Sequence, residues 1–492
     1  MAKKWTPHAY QKRAMKFLLE NGAAGLFLDP GLGKTSVSLG ALKVLFNKKM
    51  AKKVLIIAPL RVIYEVWPEE IRGWLDFNHF RVAILHGPKK DEALASDADI
   101  YLINPEGLDW LTQAKKVRSP RTNKISVTVD MKRWKKLGFD TLIIDELSKF
   151  KHIGSVRFKT MKIVRESFSR IWGLTGSPAA NGLGDLFGQC YVLDGGRCLG
   201  QFVTHFRAKY FLPDPSGFGY SLQKDGAERI YERIKPLVMR MAAEDYLELP
   251  KRVNHIIEVE LPPKVRRIYD SMEEDMLALL DGKLVTAGTA GIASIKCRQI
   301  VAGGLYDDPE IAVKSEEEWE RLPKAKRTWT NLHTAKIDAL ADLIDELQGS
   351  PLLVAYDFHH DLDRLKEKFG QDAPVLTGSP QHVKELVAKW NAGLLPYLFV
   401  HPMSAGHGLN LQKAANHVCW LSMTWDYELY DQLIRRVFRQ GNKATHVFVH
   451  HILAKNTIDQ VIWGTIQRKE KGQQALFDAL TDLRDLRRRR SK

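Results

Sequence analysis

The residues best suited to chemistry stand early in the chain, in the run Leu26-Phe27-Leu28-Asp29-Pro30-Gly31-Leu32-Gly33-Lys34-Thr35. An apolar segment of strand length enters a glycine-containing turn, then Lys-Thr, then an apolar stretch of helical length. Phosphate binding needs this order: glycines let backbone N–H groups turn inward, and a helix N-terminus adds the positive end of its dipole. In this reading Pro30, Gly31, Leu32, Gly33, Lys34, Thr35 and Ser36 cradle the phosphates of ATP. Lys34 meets the β- and γ-phosphates, and Thr35 offers its hydroxyl to Mg2+. The spacing departs from G-x-x-x-x-G-K-[ST], because Leu28 stands where that pattern has its first glycine.

A phosphate cradle alone does not hydrolyse ATP; a second, acidic strand end must hold the metal and orient water. Phe139-Asp140-Thr141-Leu142-Ile143-Ile144-Asp145-Glu146 supplies one. Asp145 would hold Mg2+ directly or through water, and Glu146 would polarise the attacking water. The string Ile-Asp-Glu-Leu returns at Ile344-Asp345-Glu346-Leu347. There Leu340, Leu343, Ile344 and Leu347 recur at helical spacing, which predicts an amphipathic helix with a solvated acidic face.

A third cluster runs from Tyr430 to Gly441. On a helix Gln432, Arg436 and Arg439 would share one face, while Arg435 points elsewhere. Two guanidiniums on one face suit the charge that develops on a transferring γ-phosphoryl group. A solvated Arg-rich helix, or one contacting a phosphate backbone, would show the same spacing; the position after a Gly-rich strand end favours the phosphoryl role. The pairs His359-His360 and His450-His451, taken as neighbours on strands that point to opposite faces, predict no metal site. Trp67, Trp74, Trp420 and Trp425 could stack on bases but read as core or lobe-packing residues.

These groups need strand ends and helix starts to hold them. Gly25–Leu28, Val54–Ala58, Ile100–Ile103 and Thr141–Ile144 have strand length and alternate with helix-like segments. The same grammar returns at Leu352–Ala355, Tyr397–Val400, His417–Leu421 and Thr445–His450. Such alternation implies parallel strands covered by helices, so an α/β chain of two lobes in tandem is expected. The span 201–249 reads as mostly helical and basic, Asn254–Leu261 as an edge strand, and Pro262-Pro263 as the opening of a helix carrying Tyr269. The charged runs Glu316–Glu318 and Arg321–Arg327 read as a solvated excursion. The expected division is residues 1–250, a lobe with a helical linker, and 251–492, a lobe with a helical insertion and basic tail.

The 492 residues carry 74 Lys+Arg against 58 Asp+Glu, a net +16. That balance suits a polyanionic partner, and equally a charge that only keeps the chain in solution. The tail Arg487–Arg490 divides the same way, between non-specific phosphate affinity and no role. Four scattered cysteines without a CxxC pair argue against a disulfide framework or zinc ribbon. No apolar stretch is long enough to cross a bilayer and no apolar h-region follows the start. A soluble protein of a reducing cytosol, with no membrane partner, is expected.

In this order the motifs resemble superfamily II helicases and translocases, and within them the Swi/Snf-like branch, with two RecA-like lobes. Trp5-Thr6-Pro7-His8-Ala9-Tyr10-Gln11 looks like the Q motif, which implies that Gln11 reads adenine. Asp29–Thr35 is similar to motif I, Ala58-Pro59-Leu60 with Trp67 and Glu70 to motif Ia, and Asp145–Ser148 to motif II. Leu174-Thr175-Gly176-Ser177-Pro178 resembles motif III, Met403–Gln412 motif V and Gln432–Gln440 motif VI. Asn181–Leu193, Phe202–Phe206, Leu237–Arg240, Leu249-Pro250, Leu261 to Tyr269, Arg298-Gln299 and Lys336 resemble the connecting regions of the branch. Motif II reads Asp-Glu-Leu-Ser where the family pattern has Asp-Glu-x-His, so Ser148 replaces the usual coupling histidine.

The resemblance implies an ATPase that needs ATP and Mg2+, with Arg436 and Arg439 acting on the γ-phosphate. It further implies movement along nucleic acid, most of all duplex or branched DNA, in the cytosol of a bacterium or a phage-infected host. Asn104, Thr377, Gly378 and Ser404 would meet the nucleic-acid backbone without reading sequence. Three other outputs fit the same motifs: a strand-separating helicase on DNA or RNA, an ATP-gated binding switch, and the motor subunit of a nuclease complex.

Overall fold

The fold is given by a computed structural model that describes residues 2–118, 125–176, 178–179, 182–213, 220–246, 250–281, 287–307, 328–405, 409–439 and 442–468. It divides into two compact units, Met1–Glu248 and Leu249–Lys492. Ser177, Gly406–Gly408, Gln440, Gly441, the runs at 316–318 and 321–327 and the tail Arg487–Arg490 lie outside the described residues.

The first unit is built on seven strands: β1 (Ala23–Leu28), β2 (Val54–Ile57), β3 (Val82–Ile84), β4 (Ile100–Ile103), β5 (Thr141–Asp145), β6 (Arg170–Thr175) and β7 (Val238–Met241). Their order across the sheet is β7-β1-β6-β5-β2-β4-β3, and every pairing is parallel. A parallel sheet is covered on both faces, so its central strands are continuous apolar runs. Val54–Ile57 and Ile100–Ile103 are accordingly buried at every position. Helices α1 (Ala9–Glu20), α2 (Lys34–Asn47) and α3 (Trp67–Gly73) belong to this unit. A π-helical turn, Val62–Val66, runs straight into α3.

The span 201–249 is less helical than the sequence suggests. It contributes β7, which pairs with β1 from Gly25↔Val238 to Leu28↔Met241, and a hairpin of Phe211–Pro213 with Tyr220–Leu222. Only Met241 of β7 is buried and Arg240 is exposed, because an edge strand leaves one side to solvent. The apolar run that marks the central strands is therefore missing.

The second unit holds five parallel strands: β8 (Lys251–Val259), β9 (Leu352–Ala355), β10 (Tyr397–Val400), β11 (His417–Trp420) and β12 (His446–Ala454), in the order β8-β12-β11-β9-β10. β8 is an edge strand, paired with β12 from Lys251↔His446 to Val259↔Ala454. Helix α4 (Ala335–Glu346) carries the second Ile-Asp-Glu string, with Leu340 and Leu343 buried beneath it. At its start the Lys336 ammonium meets the Asp459 carboxylate at 2.5 Å, both side chains almost fully buried.

Two local expectations change. The arginine helix, α5 (Tyr427–Ile434), stops before Arg436 and Arg439, which lie in turns. Past its end, Asn442 Nδ2 donates to the Val437 carbonyl at 3.0 Å and to that of Ala415 at 2.9 Å, which holds the segment after the helix. His359 and His360 open a helix, His359–Phe369, instead of lying on a strand.

Candidate functional site

Strands β1, β6 and β5 are neighbours, with Phe27 opposite Thr175 and Leu174 opposite Asp145. Their carboxyl ends therefore deliver Asp29, Thr175 and Asp145 to one edge of the sheet, where open α/β sheets bind ligands. Beyond β1 the chain turns through Gly31 (φ 94°) and Gly33 (φ 77°), left-handed values that favour glycine. A Cβ on Gly33 would come within 2.5 Å of Gln11 Nε2, so a larger residue would fill the cradle. Gln11 is buried against this loop: Nε2 donates to the Leu32 carbonyl at 3.3 Å, and Oε1 accepts from His8 N at 2.9 Å. No side chain caps α2, which leaves its first N–H groups directed at the loop. Lys34 Nζ folds onto that loop, donating to the Leu28 carbonyl at 2.7 Å. Ser36 Oγ donates to Glu70 Oε2 at 3.1 Å.

Asp145 closes β5, and its Oδ2 accepts the Trp67 indole N–H at 2.9 Å. Loss of surrounding water pushes the Asp145 carboxyl up to about 6; the Trp67 N–H opposes that rise and the Glu146 charge adds to it. A carboxylate so placed gains from a nearby cation. The oxygen-only donors Thr35 and Asp145, beside a glycine cradle, suit a hard ion such as Mg2+. Glu146 has φ +65°, a left-handed value uncommon outside glycine and found where function holds the backbone. Its Oε1 accepts from Ser148 Oγ at 2.7 Å and from Thr175 Oγ1 at 3.3 Å. Thr175 thus ties Glu146 to β6, and Ser148 holds the same oxygen from the position where the family pattern has histidine.

In the second unit Arg439 Nη1 donates to Asn410 Oδ1 at 2.7 Å, and burial lowers the pKa of the guanidinium. Its Nε is buried without a hydrogen-bond partner among the described residues. Arg436 N donates to the Leu433 carbonyl at 3.0 Å in the turn after α5. Arg435 pairs with Asp431 at 2.6 Å, and Gln432 donates to Glu428 at 3.0 Å. Val375 bridges Phe399 in the parallel sense, so Thr377 and Gly378 (φ 101°) run past the end of β10. Ser404 follows that strand in the short helix Pro402–Ala405. Asn104 stands at the end of β4, buried, with Nδ2 bonded to Glu106 at 2.9 Å.

The structure thus brings Gln11, Pro30–Ser36, Asp145 and Glu146 together in the first unit, and Thr377, Gly378 and Ser404 at one strand end in the second. Sequence reasoning missed that Trp67 bonds Asp145 and that Glu70 bonds Ser36. The spacing of Trp67, Glu70 and Trp74, one face of a helix, was the available signal. His450 bonds His255 and His417, each at 3.0 Å, and His451 bonds the Tyr430 hydroxyl at 2.9 Å. Burial pushes His450 down to about 4, so it serves as a neutral ring partner. Among the described residues no three His, Cys, Asp or Glu side chains form a metal-holding group, and no helix is long and apolar enough to cross a membrane.

Residues 10–300 match the SNF2-related domain, and residues 335–441 match the helicase conserved C-terminal domain. The chain belongs to the SNF2 family. It is 32% identical over 502 residues to protein p41 of Acyrthosiphon pisum secondary endosymbiont phage 1, across 97% of this chain and 99% of that one. It is 23% identical over 481 residues to the human DNA annealing helicase and endonuclease ZRANB3, across 94% of this chain but 39% of ZRANB3. Among solved structures it is similar to the Sulfolobus solfataricus SWI2/SNF2 ATPase core in complex with dsDNA, with 21% identity, a TM-score of 0.42, and 94% and 91% of the two chains covered. The two parallel-sheet units are the two RecA-like lobes of an SNF2 chain.

Proposed function

We propose that this SNF2 chain is a DNA-dependent ATPase that couples hydrolysis to movement along duplex DNA. The observation that carries this reading is the convergence of Lys34, Asp145 and the Ser148- and Thr175-bonded Glu146 on one sheet edge, beside a glycine cradle. Gln11 holds the adenine side, and the α2 N-terminus with Lys34 and Thr35 holds the phosphates. Mg2+, held by Thr35 and Asp145, would neutralise developing phosphate charge. Glu146 orients the attacking water and takes its proton. Arg436 and Arg439 supply guanidinium charge for the γ-phosphoryl group.

Two things support DNA as the track: family membership, and the net charge of +16. The similarity to ZRANB3, a DNA annealing helicase and endonuclease, points the same way. Thr377, Gly378, Ser404 and the end of β4 at Asn104 would meet the backbone, so binding should be non-specific and should weaken steeply with salt. Steady-state ATPase rates, without nucleic acid and with single-stranded DNA, duplex DNA, a branched fork and RNA at fixed salt, test the reading. Stimulation greatest on duplex or forked DNA supports it. Stimulation mainly by single strands or RNA moves the assignment to a strand-separating helicase, and no stimulation at all sinks it.

A further inference from the structure

Helix α3 lies in neither the phosphate loop nor the acidic strand end, yet its side chains reach both. Trp67 at its first position is fully buried, and its indole N–H ends on Asp145 Oδ2 at 2.9 Å, 78 positions away in the chain. One turn later Glu70 Oε2 accepts from Ser36 Oγ at 3.1 Å, on the first turn of α2. Glu70 Oε2 also takes the Trp74 indole N–H at 2.6 Å, which orients the carboxylate toward α2. Just past α3, Asp76 accepts from Lys43 Nζ at 2.7 Å, a second tie to α2. The helix is preceded by the π-helical turn Val62–Val66, a feature frequent at functional sites. Leu60 and Tyr64, beside and within that turn, are exposed large apolar residues.

We infer that Trp67 and Glu70 are positioning residues, a strap on α3 that aims the Asp145 carboxylate at the metal and holds the first turn of α2 under the phosphates. The inference rests on the ATPase reading above and names the residues that set the geometry of that site. An indole N–H committed to Oδ2 fixes the rotamer of Asp145 and leaves Oδ1 for the ion. Outer partners of this kind change metal affinity by about 10- to 100-fold when removed. The Glu70 carboxylate acts elsewhere: it holds Ser36, hence the N–H groups that face phosphate whether or not a metal is present. The two side chains therefore separate in their dependence on Mg2+.

The test is the affinity of the full chain for a fluorescent adenine nucleotide, titrated once with excess Mg2+ and once with EDTA, with a melting curve for each variant. Trp67→Phe keeps a ring in the core and loses only the indole and its N–H. It should weaken binding about 10-fold in Mg2+ and leave binding in EDTA within about 2-fold of the wild type. Glu70→Gln should weaken binding in both conditions by similar factors, and it stands independently if Trp67→Phe proves too unstable to titrate. Equal losses for Trp67→Phe in Mg2+ and EDTA, or no loss in either, overturn the role of Trp67. A Glu70→Gln variant that binds as the wild type does overturns the role of Glu70. A wild-type chain that binds no nucleotide even with Mg2+ overturns the ATPase reading itself, a failure distinct from unchanged variants on a wild type that binds.

Discussion

In the first unit the groups proposed for ATP chemistry are already held: Asp145 by Trp67, Glu146 by Ser148 and Thr175, Gln11 against the loop carbonyl, Ser36 by Glu70. In the second unit Arg436 and Arg439 lie beyond the end of α5, and Arg439 is half-buried, its Nε without a hydrogen-bond partner among the described residues beside the bond of Nη1 to Asn410. Fixed dipoles and charges aimed in advance contribute most to catalysis because they need no reorganisation during the reaction. On the proposed ATPase reading, the contrast assigns nucleotide binding and water activation to a prebuilt site. The arginines are then expected to contribute to rate and not to ground-state affinity.

That division breaks first at the arginines. Arg436→Ala should lower the DNA-stimulated turnover by roughly 10³- to 10⁵-fold. Nucleotide affinity should stay nearly unchanged, as checked by ATPase assay and nucleotide titration; a large loss of binding would make the residue structural. Glu146→Gln should cost about 10²- to 10⁴-fold in turnover with nucleotide still bound, and normal turnover would remove it from catalysis. Lys336→Ala probes the buried ion pair of the second unit instead. It leaves Asp459 buried without its cation and should cost about 3–5 kcal/mol of stability, read as a fall in melting temperature. Ser148→Ala removes one of two donors to Glu146 and should slow turnover by about 10-fold without changing nucleotide affinity. Unchanged turnover would show that Thr175 suffices.

Legibility in the sequence follows the same divide. β1, β2, β4 and β5 stood out because strands buried on both faces must be apolar throughout, and the phosphate loop stood out because Gly31 and Gly33 need left-handed backbone. β7 did not, because an edge strand tolerates Arg240. The end of α5 was hidden too: the helix stops at Ile434, yet Arg435 to Arg439 contain neither Gly nor Pro to mark a stop. The Trp67–Asp145 bond joins residues far apart in sequence, and only the stacking of β2 beside β5 brings the segments after them together. Arg298 and Lys336, legible only as family-like positions, are ties inside the second unit, to Asp357 and Asp459.

Movement along duplex DNA is tested most directly by displacement of a third strand from a triplex, with the duplex length leading to it varied. ATP-dependent displacement, with a lag that grows with duplex length and is abolished by Glu146→Gln, is the expected result. ATPase stimulated by duplex DNA without any displacement, or displacement with no dependence on length, would contradict it.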